Sequence, residues 1–468
     1  MENERIDKRR FLLRVVFILL GTFLAGAAAR LSGLHEFQQI LASAIFFMII
    51  LSTLLFWDFR LAVAFIGITV LLGTKVMTLP QMIKSAELDI ILFLVGMMVL
   101  VGVLKDIGLF TWIIQLVIGM KSMDGSRFTI VLIFLSAFMA CVVDEVTSIV
   151  FILALIFQVC DTLKVRAIPF VIIAVISTNI GSSGTMLGNP VGILIGTKAG
   201  FSFQDFLQWA SPIMLISLCV TLGFLLLWYR KEIREMSAKL KERRQMQLGL
   251  GPLVCVPYLK GIVILSTAVF LIAMHHQIEI WLGIEKNTML IMTPLAISGA
   301  LMIWKHPRAR HYIEAEVEWW TLLFFLFLFA IVGTLEHTGV TAHVAQKFSS
   351  SFGSDPYVLT PVILFISAFG SAFVDNIVFV AAFIPIVKEF HSPALWWALL
   401  LGACFGGNIT AIGSTANIVA LGMLEKKYRI RVAFWEWFKI GIVVGILTCV
   451  VAWISILLLM PYMPNVLH

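Results

Sequence analysis

Charge is what this sequence has least of. Only 13% of its 468 residues are Asp, Glu, Lys or Arg, whereas a soluble chain carries roughly a quarter. That shortage excludes a water-solvated globular protein and leaves lipid as the solvent. The six cysteines (Cys141, Cys160, Cys219, Cys255, Cys404, Cys449) are scattered, mostly inside apolar runs, without paired spacing. They exclude a disulfide framework and a metal-ligating cluster, and read as small core residues. No glycine-rich phosphate loop of the Walker type occurs, so nothing here supports ATP-driven transport. No Ser/His or metal-ligand constellation recurs at matching depth, which leaves a membrane-embedded hydrolase without support.

What is present is apolar surface in long runs. Sixty per cent of the residues are hydrophobic, and stretches such as 11–29, 40–57 and 213–228 have about the length of a bilayer-spanning helix. The net charge of +7 sits mostly in loops between such runs. This is the positive-inside pattern of a membrane protein rather than a nucleic-acid surface. The first run follows a basic head (Arg5, Lys8, Arg9, Arg10) and lacks a clean small-residue cleavage site, so it reads as an uncleaved anchor.

The chain is written twice. At one fixed offset Glu87 meets Glu318, Phe93 meets Phe324, Gly102 meets Gly333 and Gln115 meets Gln346. Further on, at the same offset, Phe134-Leu-Ser-Ala-Phe138 lies over Phe365-Ile-Ser-Ala-Phe369, Asp144 over Asp375 and Phe203 over Phe434. A single offset that holds from Glu87 to Phe203 marks a duplication. Residues 1–37 form the anchor span, 38–229 the first repeat, 230–260 a basic linker and 261–468 the second repeat.

Counting spans gives about eleven transmembrane helices in an all-α polytopic protein. Residues 168–199 and 394–424 each read as one broken span. Two segments, 128–160 and 359–391, read as re-entrant hairpins: an apolar arm, a polar tip and a second arm, each arm too short for about 30 Å of hydrocarbon. Residues 105–125 and 336–355 read as amphipathic interfacial segments. A cytoplasmic N-terminus places the linker, Lys305–Arg310 and Lys426–Arg431 inside and the C-terminus outside. Each repeat then makes an odd number of crossings, so the two repeats are inverted.

Four polar islands lie at membrane depth, in two pairs. The hairpin tips carry Asp144, Glu145, Thr147 and Ser148 in the first half, and Asp375 and Asn376 in the second. A carboxylate there costs several kcal/mol unless it is paired, coordinated or protonated, which marks function. Asp144 and Asp375 also suit N-cap positions, a role compatible with ion binding. The broken spans carry Asn179, Ser183, Thr185 and Asn189, and then Asn408, Thr410, Ser414, Thr415 and Asn417. Glycines let the backbone leave the helix there, and polar side chains satisfy the groups it frees. Exposed carbonyls at a half-helix end suit sodium, and amides at the other suit an anion. His275 and His276 read as interfacial, and Trp319-Trp320 and Trp396-Trp397 as aromatic-belt positions.

Gly184-Thr-Met-Leu-Gly-Asn-Pro190, Gly407-Asn-Ile-Thr-Ala-Ile-Gly-Ser-Thr-Ala-Asn417 with Phe434-Trp-Glu-Trp437, and Asp375-Asn-Ile377 with Pro385 together resemble the motifs of the ion transporter superfamily. The nearest branch is that of arsenite permeases, NhaD-type sodium–proton antiporters and P-protein homologues; the dicarboxylate–sodium symporters are more distant. The resemblance covers nearly the whole chain. It implies a homodimer in which a scaffold domain supports a moving transport domain, with elevator-type alternating access. It also implies two cation half-sites flanking the substrate, with sodium at Asp375, Asn376, Asn408 and Asn417. Two departures stand out. Val191-Gly192 replaces the usual Pro-Asn, and Asp144-Glu145 replaces the usual Asp-Asn, which puts a proton in contention with sodium in the first half.

The expected function is secondary active transport in the inner (plasma) membrane, with no cofactor beyond a coupling sodium ion or proton. Its cargo would be a small inorganic ion, either an arsenite-like oxyanion or sodium itself. A sodium-coupled symporter of di- or tricarboxylates or sulfate is the alternative within the class. A passive channel is the alternative from outside it. The lipid bilayer, a small ion and a second copy are the expected partners.

Overall fold

The computed structural model describes residues 2–56, 59–120, 122–246 and 256–464, and side chains from residue 11 onward. The described residues are helical throughout and contain no strand. Among the described residues nine helices are long and apolar enough to cross a membrane, or up to eleven if two bent pairs each count as one span. Those pairs are Tyr258–Ala273 with His275–Leu282, bent by 60°, and Thr288–Trp304 with His306–Glu316, bent by 104°. The expected all-α polytopic fold is therefore present, but the nine to eleven candidate spans among the described residues include three hairpin arms and leave out residues 60–73 and both broken spans.

The chain divides into two compact units. The smaller comprises residues 1–91, 318–358 and 381–391. Within it Arg60 is fully buried with its guanidinium 4.6 Å from the centre of the Phe324 ring. Phe65 packs edge-on against Phe327, and Gln39 donates to the Thr338 carbonyl at 3.1 Å.

The larger unit comprises residues 92–317, 359–380 and 392–468 and holds every expected site residue. Its first hairpin is Gly125–Val142 and Glu145–Leu163. Of the second hairpin, Pro356–Phe373 and Asn376–Lys388, residues 359–380 belong to this unit. Three of these four arms, at 18, 19 and 18 residues, are longer than the sequence suggested and suffice by length to cross a membrane. The first arm starts at its cap, Asp124, whose carboxylate accepts from the Arg127 amide, ahead of the first apolar run. Only Asn376–Lys388, with 13 residues, is as short as expected.

The first broken span is Ile168–Gly181 and Pro190–Ala199; the second is Pro393–Gly406 and Thr415–Tyr428. Each break follows a glycine that lies directly on a hairpin arm. A methyl group at Gly181 would run into the backbone of Ala137, and one at Gly406 into that of Ala368. Side-chain hydroxyls then tie break to hairpin: Thr185 donates to the Cys141 carbonyl and Thr410 to the Ala372 carbonyl.

Three expectations about single residues change. His275 is buried, with Nδ1 2.8 Å from the Ile272 carbonyl, rather than interfacial. Trp396 and Trp397 belong to a helix buried on all sides, and Trp397 stacks on Phe201 at 4.5 Å, so neither is a belt residue. Trp319 and Trp320 are exposed, as a belt requires. The five described cysteines are free; Cys255 lies outside the described residues.

The glycine contacts generate a stability test. Gly181→Ala and Gly406→Ala each force backbone apart in a packed interior and should cost about 1–3 kcal/mol. Gly299→Ala and Gly422→Ala, where nothing lies within 4 Å, should leave the thermal midpoint of the detergent-purified protein unchanged or slightly raised.

Candidate functional site

Each half of the site is built from two helix starts. Asp144 caps the second arm of the first hairpin, its Oδ1 accepting from the amides of Val146 and Thr147, both at 2.8 Å. Asp375 does the same for the second hairpin through the Ile377 amide at 3.2 Å, which Asn376 Oδ1 also meets at 3.0 Å. Asn189 caps the restart of the first broken span through the Gly192 amide at 2.8 Å. Ser414 caps the restart of the second through the Ala416 amide at 3.2 Å. The expected capping role is thus real. It places four helix N-termini, each a partial positive charge, in one unit.

Glu145 links them. It is buried at the first turn after Asp144, and its carboxylate accepts from the Ser414 hydroxyl, with Ser182, whose hydroxyl donates to the Asn179 carbonyl at 3.1 Å, beside it. The Ser414 contact, at 3.3 Å, joins the first hairpin tip to the second break. Ser182 in turn accepts from Asn189 Nδ2 at 2.9 Å. Asp375 and Asp144 both lie within electrostatic reach of Glu145. Neither Asp144 nor Glu145 forms an ion pair among the described residues.

A second junction is made of amides. Asn179 Nδ2 donates to Asn408 Oδ1 at 2.9 Å and to Asn417 Oδ1 at 2.8 Å, so one half touches the other again. Asn417 Nδ2 closes the second break by donating to the carbonyls of Gly407 and Thr410, at 2.7 and 2.9 Å. Asn179 Oδ1 and Asn408 Nδ2 are buried without a hydrogen-bond partner among the described residues. One open acceptor and one open donor in a sealed polar cluster are what an incoming ion or substrate would satisfy.

The expected site residues divide by what they touch. Thr147 helps hold Asp144, Ser148 donates back to the Glu145 carbonyl at 3.1 Å, and Ser183 donates to the Ile180 carbonyl at 2.7 Å. Ser148 and Ser183 thus serve their own helix turns. Thr415 is half-buried and makes no side-chain hydrogen bond among the described residues. Of the four residues expected at sodium, Asn408 and Asn417 meet at Asn179, while Asp375 and Asn376 face the start of their own helix. No group of three or more His, Cys, Asp or Glu side chains with metal-binding geometry occurs among the described residues.

Three contributors were not expected. Ser182 and Cys404 sit beside Asn189, whose Nδ2 reaches Cys404 Sγ at 3.1 Å. Trp437 is buried and donates from Nε1 to the Asn408 carbonyl at 3.0 Å. Its place in the Phe434-Trp-Glu-Trp437 motif was the available signal.

Helices of membrane-spanning length around buried polar breaks define a multi-pass membrane transporter, and comparison with known proteins agrees. The profile of the CitMHS citrate transporter family matches residues 46–402, so the chain belongs to that family. A Mycobacterium tuberculosis (strain CDC 1551) protein named as an uncharacterized transporter is 31% identical over 377 residues, covering 78% of this chain and 84% of its own. The human P protein is 24% identical over 457 residues, covering 80% of this chain and 54% of its own. Among solved structures, the Alcanivorax borkumensis YdaH transporter shares the fold with a TM-score of 0.54 and 15% identity, covering 85% of this chain and 89% of its own.

The network generates a pair of expected outcomes. Asn417→Ala strips two buried carbonyls of their donor and should lower stability by about 1–3 kcal/mol, measured by thermal unfolding in detergent. Thr415→Ala, one position from the Ser414 cap, should not move the midpoint.

Proposed function

We propose that this protein is a secondary active transporter that couples a proton or sodium gradient to the movement of a small inorganic ion. The observation that carries the reading is Glu145, a buried carboxylate of the first half that accepts from the second-half Ser414 hydroxyl and lies within electrostatic reach of two further carboxylates. Three acids gathered at membrane depth need a counter-charge, and a proton or a bound cation supplies one. The counterpart of Glu145 in the second repeat is the neutral Asn376, so the charge that responds belongs to the first half.

In this reading a proton or cation reaching Glu145 removes its charge from beside Asp144 and Asp375 and leaves the Ser414 hydroxyl free to turn. Because Ser414 caps the restart of the second broken span, that exchange acts on the helix end that faces the cargo. Asn408 Nδ2 and Asn179 Oδ1 offer the donor and the acceptor that the cargo would take up. The larger unit, which carries the whole site, moves as the transport domain of an elevator, with the smaller unit as scaffold in a homodimer. The basic segments lie on the cytoplasmic side of the plasma membrane.

A second reading, symport of a carboxylate such as citrate, is favoured by the four capped helix N-termini, which suit an anion. The family description points the same way.

Solid-supported-membrane electrophysiology on reconstituted protein tests both, with sodium, protons, arsenite, sulfate and citrate as trial solutes. A solute-dependent current that requires a sodium or proton gradient is expected. It should fall at least tenfold in Glu145→Gln and in Asp375→Asn, with both variants still folded. If citrate alone drives such a current, the second reading holds. A current that runs down the solute gradient alone and ignores both substitutions would make the protein a channel and overturn the proposal.

A further inference from the structure

Residues 230–260 read as a basic linker, and the described part of it, Arg230–Gln245, is a helix with seven basic and three acidic side chains. Its apolar face is buried through Ile233, Met236 and Leu240. Polar contacts fix it to the first hairpin. Ser237 Oγ accepts from the Gly125 amide at 2.9 Å, and Arg244 donates to the Met123 carbonyl at 2.8 Å. On the second arm, at the same open end of the hairpin, Arg243 donates to the Thr162 carbonyl at 3.4 Å.

Between this helix and the end of Glu145–Leu163 lies a cavity of about 150 Å³. Lys164, Lys239 and Arg243 line it, opposed by one carboxylate, Glu242. The space equals the share of about five water molecules, enough for one tetrahedral anion with some water around it. Helix ends attract cations, and Arg243 on the Thr162 carbonyl is explained that way. Lys239 is not, and the attraction that suits a cation at the Lys164 cap does not account for its left-handed backbone. Lys239 sits on the linker helix and, among the described residues, pairs at 3.2 Å only with the exposed Glu242, a contact worth little in water. Lys164 caps the hairpin arm at φ 55°, a left-handed conformation that glycine or asparagine takes at lower cost. Three cations around an open pocket, one of them kept at a conformational cost, form a receptor for a multiply charged oxyanion.

We propose that this cavity binds a phosphate group, either of a free phosphate anion or of an anionic phospholipid headgroup, between Lys164, Lys239 and Arg243. A phosphate there replaces Glu242 as the partner of Lys239 and bridges the linker helix to the hairpin arm. The arm is one straight helix of 19 residues, about 28 Å long, with Glu145 in its first turn and Lys164 just past its last. The bound group therefore braces the element that carries the buried acid.

The test uses full-length protein with two probes at matched ionic strength: inorganic phosphate in detergent, and phosphatidylglycerol against phosphatidylcholine in nanodiscs. Thermal midpoint and lipid retention in native mass spectrometry are the readouts. One probe or both should stabilise the wild type; phosphate alone would identify a soluble anion, and phosphatidylglycerol alone a headgroup. Lys164→Gln with Lys239→Gln should weaken binding at least tenfold, and Glu242→Gln, which frees Lys239, should tighten it severalfold. Lys231→Gln with Arg234→Gln removes the same charge outside the cavity and should change binding less than twofold. No response to either probe, equal loss in the two double variants, or no gain in Glu242→Gln would overturn the proposal.

Discussion

A carboxylate cannot be sealed inside a membrane protein without partners, and the site is arranged around meeting that demand at Glu145. The residue sits in the first turn of a hairpin arm, where the helix dipole helps a negative charge. That help is partial; the Ser414 hydroxyl adds a hydrogen bond, and Ser182 lies alongside. These belong to the two broken spans, one from each half of the sequence. Satisfying one side chain therefore requires both breaks to lie against the first hairpin tip. The breaks in turn need their carbonyls bonded, which Asn417, Thr410 and Thr185 do. Burial of one charge and closure of two interrupted helices are the same structural problem solved together.

The duplication explains why this can be done from four short segments. Hairpin and break pack alike in both halves, through Gly181 on Ala137 and Gly406 on Ala368. The alanines keep the common offset of the repeat, while Gly406 comes earlier than that offset would place it. The shift equals the difference between the second hairpin arms, which have 19 residues in Glu145–Leu163 and 13 residues in Asn376–Lys388. A shortened arm thus carries the break along with it, and the contact between glycine and alanine backbone survives. What the two halves keep in common is backbone proximity, which only glycine at the break allows.

Much of this was legible in the sequence because polarity at membrane depth is costly and therefore conspicuous. Asp144, Glu145, Asn179, Asn408 and Asn417 stood out from apolar surroundings, and all but the half-buried Asp144 are fully buried in the site. In a chain this apolar, hydropathy does not separate lipid-facing helices from those packed in the interior. Trp396 and Trp397 looked like belt residues beside Pro393, yet their helix is buried along its whole length. The arms of the first hairpin were read as short because their apolar runs begin after the capping residue that starts the helix. Ser182, Cys404 and Trp437 escaped notice for a different reason. A serine beside a serine, a cysteine inside a helix and a tryptophan in an aromatic cluster carry no signal until the fold brings them to Asn189 and Asn408.

The halves differ where their chemistry should differ. In the second, Asn417 reaches back from the restarted helix and bonds two carbonyls of the break. With Gly181 laid over Gly406, the counterpart of Asn417 in the first half is Gly192. A side chain starting there would meet the carbonyls of Thr185 and Met186 at 3.0 and 3.1 Å, so those oxygens are present while the amide that would occupy them is missing. Asn189 bonds the Gly192 amide instead and fixes the helix start without closing the loop. The acids follow the opposite pattern: the first tip has Glu145 where the second has the neutral Asn376. The first half has lost an amide and holds a carboxylate; the second keeps its amides and lacks the extra acid. A pair of equivalent cation sites would favour the same ligands in both halves. This complementary exchange instead supports a division of labour, with a titratable group on one side and a neutral oxygen-and-amide cradle on the other.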